Sequence, residues 1–300
     1  MTAVDVVIPV RNGGRLLRRA VDSALSQEGV EVRVVVVDDH STDRAIGRLP
    51  RDPRLVVVPS AGTGIPEALE TGIRLGSAPY VARQDADDVS LPGRLALQVR
   101  HLEAHPGIGL VATGFEVVVG RRVVASMAPG PAGFERKNPL CAGSVVVRRD
   151  VHEQAGGYRP AFAQSSDYDM WLRCLDHTGI SVLPLPGYRY RLTSGMTTIR
   201  RAGRQAAYAE LARASARARR EGSRDPVPRA EEFVAALLEG AAPEPDPAVD
   251  AWWAREFAAL GDRHEAVRCA WRAAGRLPVG QAVRLLLVAL GRPTAHAVWT

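Results

Sequence analysis

Three carboxylates lie within four residues of one another in the segment 83–94, which reads RQDADDVSLPGR. They are Asp85, Asp87 and Asp88, and they follow an apolar run, residues 78–82, whose pattern predicts a buried strand. Carboxylates crowded this closely repel one another unless a cation lies between them. A hard divalent cation with oxygen ligands, Mg²⁺ or Mn²⁺, fits such a cluster and can also bridge the phosphates of a nucleotide. The alternative is an acidic turn that caps the following helix.

Two more acids follow another predicted strand near the amino terminus. Residues 4–10 and 31–37 are apolar, mostly β-branched runs, and an amphipathic segment at residues 15–27 separates them. Strand, helix, strand in this order predicts a βαβ unit, and near-continuous apolar strands indicate a parallel sheet covered on both faces. Asp38 and Asp39 come directly after the second strand. Ligands of such sheets bind beyond the carboxyl ends of the strands, so we expect both acidic clusters to line one site.

Four motifs in this order and spacing resemble those of family 2 glycosyltransferases of the GT-A fold. They are VVIPVRNGG, VVVVDDHSTD, PYVARQDADDVSLPGRLALQVRHLEAHPGIGLVAT and SDYDMWLR, and the resemblance runs from residue 4 to residue 191. It implies an α/β fold, a Rossmann-like mixed sheet with helices on both faces. It also implies inverting transfer of a sugar from a nucleotide-sugar donor, linked to UDP or dTDP, to an acceptor hydroxyl.

The resemblance further implies roles for individual residues. Asp87 and Asp85 would hold the cofactor, Mn²⁺ or Mg²⁺, and Asp39 would contact the donor base. Asp167, which heads the predicted helix of the SDYDMWLR motif, would be the general base. The residues expected to bind the nucleotide are Pro9, Val10, Arg11, Asp38, Asp39, Asp85 and Ala86.

The chemistry of sugar transfer needs groups of these kinds. Displacement at an anomeric carbon passes through an oxocarbenium-like state while a diphosphate leaves with growing negative charge. A cation held by Asp87 would neutralise that charge, and the attacking hydroxyl needs a carboxylate base such as Asp167. Asp169 lies two residues further on and points elsewhere on a helix, so we expect Asp169→Asn to be milder than Asp167→Asn. The alternative for Asp167 is a helix N-cap.

The chain departs from the family pattern at three places. Ser166 stands where the base motif commonly has Glu, Leu192 stands where many relatives carry His, and the NPL-x-x-GS stretch of residues 138–144 also lacks His. Two or three Asp would then hold the cation, and Arg189 and Arg191 would be available for the phosphates.

These departures motivate a second hypothesis, a catalytically inactive nucleotide-sugar-binding or scaffold protein of the same fold. A third, a nucleotidyltransferase, would need a Gly-rich phosphate loop with a basic residue, which residues 11–14 only faintly suggest. We expect release of nucleoside diphosphate from the donor to separate an enzyme from a binder.

The net charge of +6 is concentrated in one stretch, because residues 200–224 contain eight Arg and two Glu. Ala and Arg dominate this stretch, which predicts a helix that ends near Gly222. It is either a solvated helix face or a peripheral contact with an anionic membrane surface, where lipid-linked acceptors reside. The chain has a single Lys, Lys137, and no nucleic-acid-recognition motif, which argues against nucleic-acid binding.

The remaining features predict location and organisation. No apolar run reaches the roughly 20 residues that span a bilayer, and no secretory signal is recognisable, so we expect a cytoplasmic protein, at most peripheral to the inner face of the membrane. Three single Cys, at positions 141, 174 and 269, suggest a reducing compartment. We predict a GT-A domain over residues 1–200, a basic helical extension over 201–242, and a helical hairpin like one tetratricopeptide unit with a terminal helix over 248–300.

Overall fold

The computed structural model describes residues 1–239 apart from 129, 131, 132, 135 and 193–201, and after residue 239 it describes only 254, 270, 281 and 282. The helical hairpin and terminal helix predicted over residues 248–300 therefore lie almost entirely outside the described residues. The division of the chain into three regions stays a prediction.

Within the described residues, nine strands form one mixed sheet in the order β3-β2-β1-β4-β8-β6-β9-β5, and β7 pairs with β6. β1 to β4 are parallel to one another, whereas β8 is antiparallel to both of its neighbours. The strands are β1 (Ala3–Val10), β2 (Glu31–Asp38), β3 (Leu55–Pro59), β4 (Tyr80–Arg83), β5 (Val89–Ser90), β6 (Ile108–Val119), β7 (Arg122–Met127), β8 (Val145–Arg148) and β9 (Gly179–Leu192).

Helices cover both faces of this sheet, so the predicted α/β architecture is confirmed. They are α1 (Leu16–Leu25), α2 (Ile65–Arg74), α3 (Arg94–Ala104), α4 (Arg149–Gln154), α5 (Ser166–Cys174), α6 (Ala202–Glu221) and α7 (Ala230–Glu239). Because side chains alternate along a strand, β1 contributes to two cores. Val7 packs with α2 and α5 on one face, whereas Val6 and Ile8 pack with α1 and α3 on the other.

Helix α6 is the predicted basic helix, and Gly222, with φ +65°, follows its last residue. Its apolar side is not solvated, because Tyr208 and Leu211 are fully buried in the core that also contains Trp171 of α5. In the described part of the chain, every helix is too short or too polar to span a bilayer.

A buried ion pair joins the start of β1 to the turn before β4. Asp5, which is 2% exposed, accepts hydrogen bonds from Arg149 Nη2 at 2.6 Å and from the Ala78 backbone N–H at 2.9 Å. Arg149 also donates to the backbone carbonyls of Ala78 and Ile73. The pair therefore joins β1, the turn before β4 and α4 at one end of the sheet.

We predict that Asp5→Ala lowers the free energy of unfolding by about 3–5 kcal/mol, because it leaves the Arg149 guanidinium buried without its counter-ion. The control is Asp22→Ala, whose ion pair with Arg18 has both side chains about half exposed, and which should cost about 1 kcal/mol or less. Chemical denaturation followed by circular dichroism measures both. Equal costs for the two variants would contradict the structural role of Asp5.

Candidate active site

The carboxyl ends of three parallel strands lie side by side at one edge of the sheet. Val10, the last residue of β1, is level with Asp38, the last residue of β2, and Arg83 at the end of β4 is level with Val7 of β1. The loops that begin after these residues therefore leave the sheet at the same edge. The expectation that both acidic clusters lie at this edge is confirmed.

The loops after β1 and β2 are held together by hydrogen bonds. Asn12, in a left-handed conformation with φ +56°, accepts hydrogen bonds from the backbone N–H groups of Thr42 and Asp43. The Gly14 N–H donates to the Asp43 carboxylate at 2.8 Å. Asp38 shapes the turn, because its Oδ1 accepts the Ser41 N–H at 3.0 Å. The two loops thus form one rim of the site.

The other nucleotide-binding candidates on this rim differ in exposure. The Arg11 side chain is exposed and Pro9 is half-buried, so both can reach a ligand. Val10 is 3% exposed and packs in the core, which leaves only its backbone for contact with a ligand. Its carbonyl already accepts the Asp39 N–H at 2.7 Å.

Asp39 is 7% exposed and holds the loop before α2 against the rim. Its Oδ2 accepts the Gly64 N–H at 3.0 Å, and its Oδ1 lies 3.2 Å from Nδ1 of the exposed His40. A carboxylate oxygen can accept more than one hydrogen bond, so these contacts leave Asp39 able to accept one from a ligand.

The acidic loop, residues 84–88, is bound to β9 and to the end of β4. The Arg83 guanidinium pairs with Asp85 Oδ1 at 3.0 Å, and the Asp85 backbone N–H donates to the Tyr188 hydroxyl at 3.0 Å. Asp88 Oδ1 accepts the backbone N–H of Arg191 at 2.7 Å, whereas its buried Oδ2 has no hydrogen-bond partner among the described residues. Hydrogen bonds to the Tyr188 hydroxyl and from the Arg191 backbone N–H, both on β9, therefore hold the loop.

The carboxylates of the acidic loop repel one another. Burial raises the pKa of Asp87 to about 6, and the neighbouring Asp85 contributes to the rise. Burial raises the pKa of Asp88 well above its usual value, with further contributions from Asp87 and Asp85. Ala86 between them is half-buried. A divalent cation would relieve this repulsion, and oxygen ligands suit Mg²⁺ or Mn²⁺.

No group of three or more acids, His or Cys that could hold a metal occurs in the described part of the chain. A hard cation at this place would therefore have at most two carboxylate ligands, Asp85 and Asp87, and would need a phosphate-bearing ligand and water to complete its coordination.

A buried cation lies beneath the acidic loop. Arg94, which is 1% exposed, donates to the Gly143 carbonyl and stacks on the Tyr188 ring at 5.3 Å from its centroid. Its Nε and Nη2 have no hydrogen-bond partners among the described residues, and burial lowers the pKa of Arg94 to about 10. A side chain at position 143 would collide with the Tyr188 hydroxyl, so this close packing requires glycine.

Asp167 lies in the first turn of α5, half-buried, where the positive end of the helix dipole stabilises an anion. Its Oδ2 accepts a hydrogen bond from Asn138 Nδ2 at 2.8 Å. The Asn138 Oδ1 accepts the Leu140 N–H at 3.2 Å, which fixes the amide with its NH₂ toward Asp167. The N-cap position is occupied by Ser165, so the N-cap alternative for Asp167 is wrong.

Arg83 connects the acidic loop electrostatically with Asp167. Burial alone would lower the pKa of Arg83, but Asp85, Tyr158 and Asp167 raise it above its ordinary value. Burial raises the pKa of Asp167, against the opposing effects of Arg83 and of the Asn138 hydrogen bond. One guanidinium thus stabilises carboxylates from both halves of the site.

Comparison with known proteins identifies the family to which the chain belongs. Residues 5–154, half of the chain, match the family model described as "Glycosyl transferase family 2". The chain belongs to glycosyl transferase family 2.

Two curated relatives illustrate the range of this similarity. EpsE of Bacillus subtilis is 30% identical over 184 residues, which are 57% of this chain and 66% of that protein. The succinoglycan biosynthesis protein ExoO of Rhizobium meliloti is 34% identical over 215 residues, which are 64% of this chain and 61% of that protein. The chain thus covers less than two thirds of either relative.

A solved structure shows the fold of this family 2 member. The crystal structure of residues 1–349 of S. aureus TarS superposes with a TM-score of 0.58 at 15% identity, over 97% of this chain and 91% of that one. TarS has also been solved in complex with UDP-GlcNAc, with a TM-score of 0.55 and 16% identity. The fold is GT-A, as the sequence motifs predict.

Two expectations for this family 2 member need correction. Arg189 pairs with Glu116 through Nε and Nη2, and Arg191 donates to the backbone carbonyls of Asp87 and Gly120 through Nε and Nη1, so each guanidinium has at most one nitrogen left for phosphates. Asp169 does point away from Asp167, but it is fully buried and neutralises Arg159 and Arg173. Asp169→Asn would therefore destabilise the fold and would not be mild.

The sequence analysis missed three side chains that build the site, Asn138, Tyr188 and Arg94. Asn138 and Gly143 lie in the NPL-x-x-GS stretch, which drew attention only for the His that it lacks. The Gly at position 143 was a usable signal, since glycine often marks a close approach of the backbone to another group.

We predict that Asp87→Asn stabilises the metal-free protein at pH 7. Asp87 has a raised pKa in the folded state, so its ionisation lowers stability progressively as the pH rises from about 4 to about 6. Removing the charge should raise the free energy of unfolding at pH 7 by about 1–3 kcal/mol and change it little at pH 4.

Denaturant unfolding in buffer with EDTA at the two pH values measures the effect, with Glu28→Gln, an exposed acid, as the control. If Asp87→Asn were only as stable as the native protein at pH 7, burial and the neighbouring carboxylates would not be disfavouring the ionised form of Asp87.

Proposed function

We propose that this chain is an inverting glycosyltransferase that moves a sugar, of the hexosyl type, from a UDP- or dTDP-sugar to an acceptor hydroxyl. The proposal rests on the placement of Asp39, the Asp85–Asp87 pair and Asp167 at one edge of the sheet. The Arg83 guanidinium pairs with Asp85 and also interacts with Asp167. This reaction requires three things: an acid that binds the nucleobase of the donor, a site for the diphosphate, and a general base for the acceptor hydroxyl.

The Asp39 carboxylate supports a pyrimidine donor. A uracil or thymine ring presents an N3–H that a carboxylate can accept, whereas cytosine lacks this donor. The complexes of TarS with UDP and with UDP-GlcNAc support a uridine nucleotide. The exposed Arg11 beside the rim would offer a charge to the diphosphate.

Asp87 and Asp85 would hold Mn²⁺ or Mg²⁺ together with the donor diphosphate. The cation supplies neutralisation of the charge that develops on the leaving group. Burial and the neighbouring Asp85 raise the pKa of Asp87, and a bound cation would offset both effects, which supports this role. The part of the shell that the protein does not fill leaves room for phosphate oxygens.

Asp167 would take the proton from the acceptor hydroxyl. Burial raises its pKa, which makes the ionised carboxylate a stronger base than that of an exposed Asp. Asn138 keeps one lone pair occupied and orients the other oxygen, and Arg83 favours the ionised form that a base needs. The Ser at position 166 does not remove any of these groups.

The biological setting is assembly of a polysaccharide or glycoconjugate, which the name of ExoO supports. We place the reaction in the cytoplasm, where nucleotide sugars are made, with a lipid-linked acceptor as the candidate that would need peripheral membrane contact. Few positive charges of α6 are available for contact with a membrane, because four of its Arg side chains form ion pairs with acids of the chain. They are Arg204, Arg213, Arg217 and Arg219.

We predict that Asp167→Asn separates catalysis from donor binding. Release of UDP from a UDP-sugar in the presence of Mn²⁺ should fall about 10²–10⁴-fold, because a general base contributes this much to a rate. The dissociation constant of UDP, measured by calorimetry, should change less than about twofold.

Asp150→Asn is the matched control, since Asp150 also lies in the first turn of a helix, α4, but is exposed. It should release UDP at the native rate. If the native protein binds UDP but releases none from any UDP- or dTDP-sugar, the inactive-binder hypothesis replaces the enzyme.

A further inference from the structure

Helix α6 lies outside the region that matches the family model, yet it contacts the elements that carry Asp167. Ser165, the left-handed residue (φ +54°) before α5, donates its hydroxyl to the Gln205 carbonyl at 3.0 Å. Arg219 pairs with Asp176, just beyond the end of α5, at 2.8 Å. The two helices therefore run side by side in the same direction, joined at both ends.

The middle of α6 is joined to α5 through a buried charge network. Ser215, fully buried on α6, accepts a hydrogen bond from Arg159 at 3.1 Å, and Arg159 pairs with Asp169 of α5. Asp225, which follows α6, lies 3.4 Å from the same guanidinium. These contacts fix the position of α5, the helix that carries Asp167, both along its axis and in rotation about it.

A second connection leads from α6 to the other side of Asp167. Arg213 Nη1 donates to the Arg136 carbonyl at 2.9 Å, and the Tyr168 hydroxyl donates to the Phe134 carbonyl. These carbonyls belong to the Asn138 segment, defined here as residues 133, 134 and 136–138. Asn138 at the end of this segment donates to Asp167.

The Arg213 side chain is itself held in place for this contact. Its Nε donates to Glu210 Oε2 at 2.9 Å, and a hydrogen bond with Tyr168 contributes to the raised pKa of Arg213. The guanidinium therefore faces α5 and the Asn138 segment. Arg217, one turn further along α6, shares Glu210 at 3.1 Å but is more than half exposed and contacts neither α5 nor the segment among the described residues.

We propose that Arg213 is a positioning residue, through which helix α6 holds the Asn138 segment so that the Asn138 amide stays against Asp167. The inference rests on the proposed function, in which Asp167 is the general base. It assigns the basic helix a part in the active site in addition to its place in the core.

The proposal predicts a change in the pH dependence of the reaction. Asp167 is influenced by Arg83 at the end of β4, by Asp85 in the acidic loop, by Tyr158 before α5 and by Asn138. The Asn138 hydrogen bond favours the ionised carboxylate, so its loss raises the pKa of Asp167. Because the base acts in its ionised form, the acidic limb of the rate profile then moves to higher pH.

The test compares Arg213→Ala, Arg213→Lys and the control Arg217→Ala. Hydrogen exchange followed by mass spectrometry reports on the Asn138 segment, in which the Arg136 and Lys137 N–H groups donate to the Gly133 carbonyl. Arg213→Ala should speed exchange there at least about tenfold. Arg213→Lys, which keeps a donor for the carbonyl, should recover most of the protection, and Arg217→Ala should exchange like the native protein.

The second measurement is UDP release from a UDP-sugar between pH 5 and pH 9. Arg213→Ala should move the acidic limb to higher pH, as should Asn138→Ala, and the double variant should move it no further than Asn138→Ala alone. The dissociation constant of UDP should stay within about twofold of the native value. A rate that falls by the same factor at every pH would mean a general loss of folded protein and would overturn the proposal.

Unchanged exchange in Arg213→Ala would also overturn it. If the native protein releases no UDP at all, the proposed function fails, and the exchange measurement still decides whether Arg213 holds the Asn138 segment.

Discussion

Carboxylates withdrawn from water repel one another strongly, and the carboxyl edge of this sheet holds three in the acidic loop and another, Asp167, on α5. Arg83 pairs directly with Asp85, whereas burial and the neighbouring carboxylates raise the pKa values of Asp87 and Asp88. A folded protein tolerates such crowding where a bound cation or substrate makes use of it. The other parts of the site are arranged around this unbalanced charge.

The residues packed beneath the acidic loop hold its backbone in place despite this repulsion. Strands β5 and β9 pair next to the loop, and Tyr188 of β9 accepts the Asp85 N–H while its ring packs on Arg94. Gly143 allows this packing because it has no side chain to displace the Tyr188 hydroxyl. The positions of the metal-binding candidates therefore depend on the buried residues Tyr188, Arg94 and Gly143.

Local patterns predicted the elements that carry the acids, since alternation and spacing are properties of consecutive residues. Apart from Arg83, which lies two residues from Asp85, the partners of those acids were not predictable from the same patterns. Asn138 meets Asp167 across 29 residues, and Arg213 meets Arg136 across 77. Asp169 was expected only to point away from Asp167. Its i,i+4 spacing to Arg173 is visible in the sequence, but its burial and its second ion pair, with Arg159, are not. The different roles of Asp167 and Asp169 therefore follow from their tertiary contacts, which local sequence patterns do not show.

Calorimetric titration of UDP into the native protein, in Mn²⁺ and in EDTA at pH 7.5, tests the central claim most directly. The claim is that the crowded carboxylates bind a divalent cation together with a nucleoside diphosphate. The account predicts that Mn²⁺ tightens UDP binding at least about tenfold, the effect of ~1.4 kcal/mol, with one Mn²⁺ bound per chain in the complex. Equal affinity for UDP in Mn²⁺ and in EDTA would contradict it.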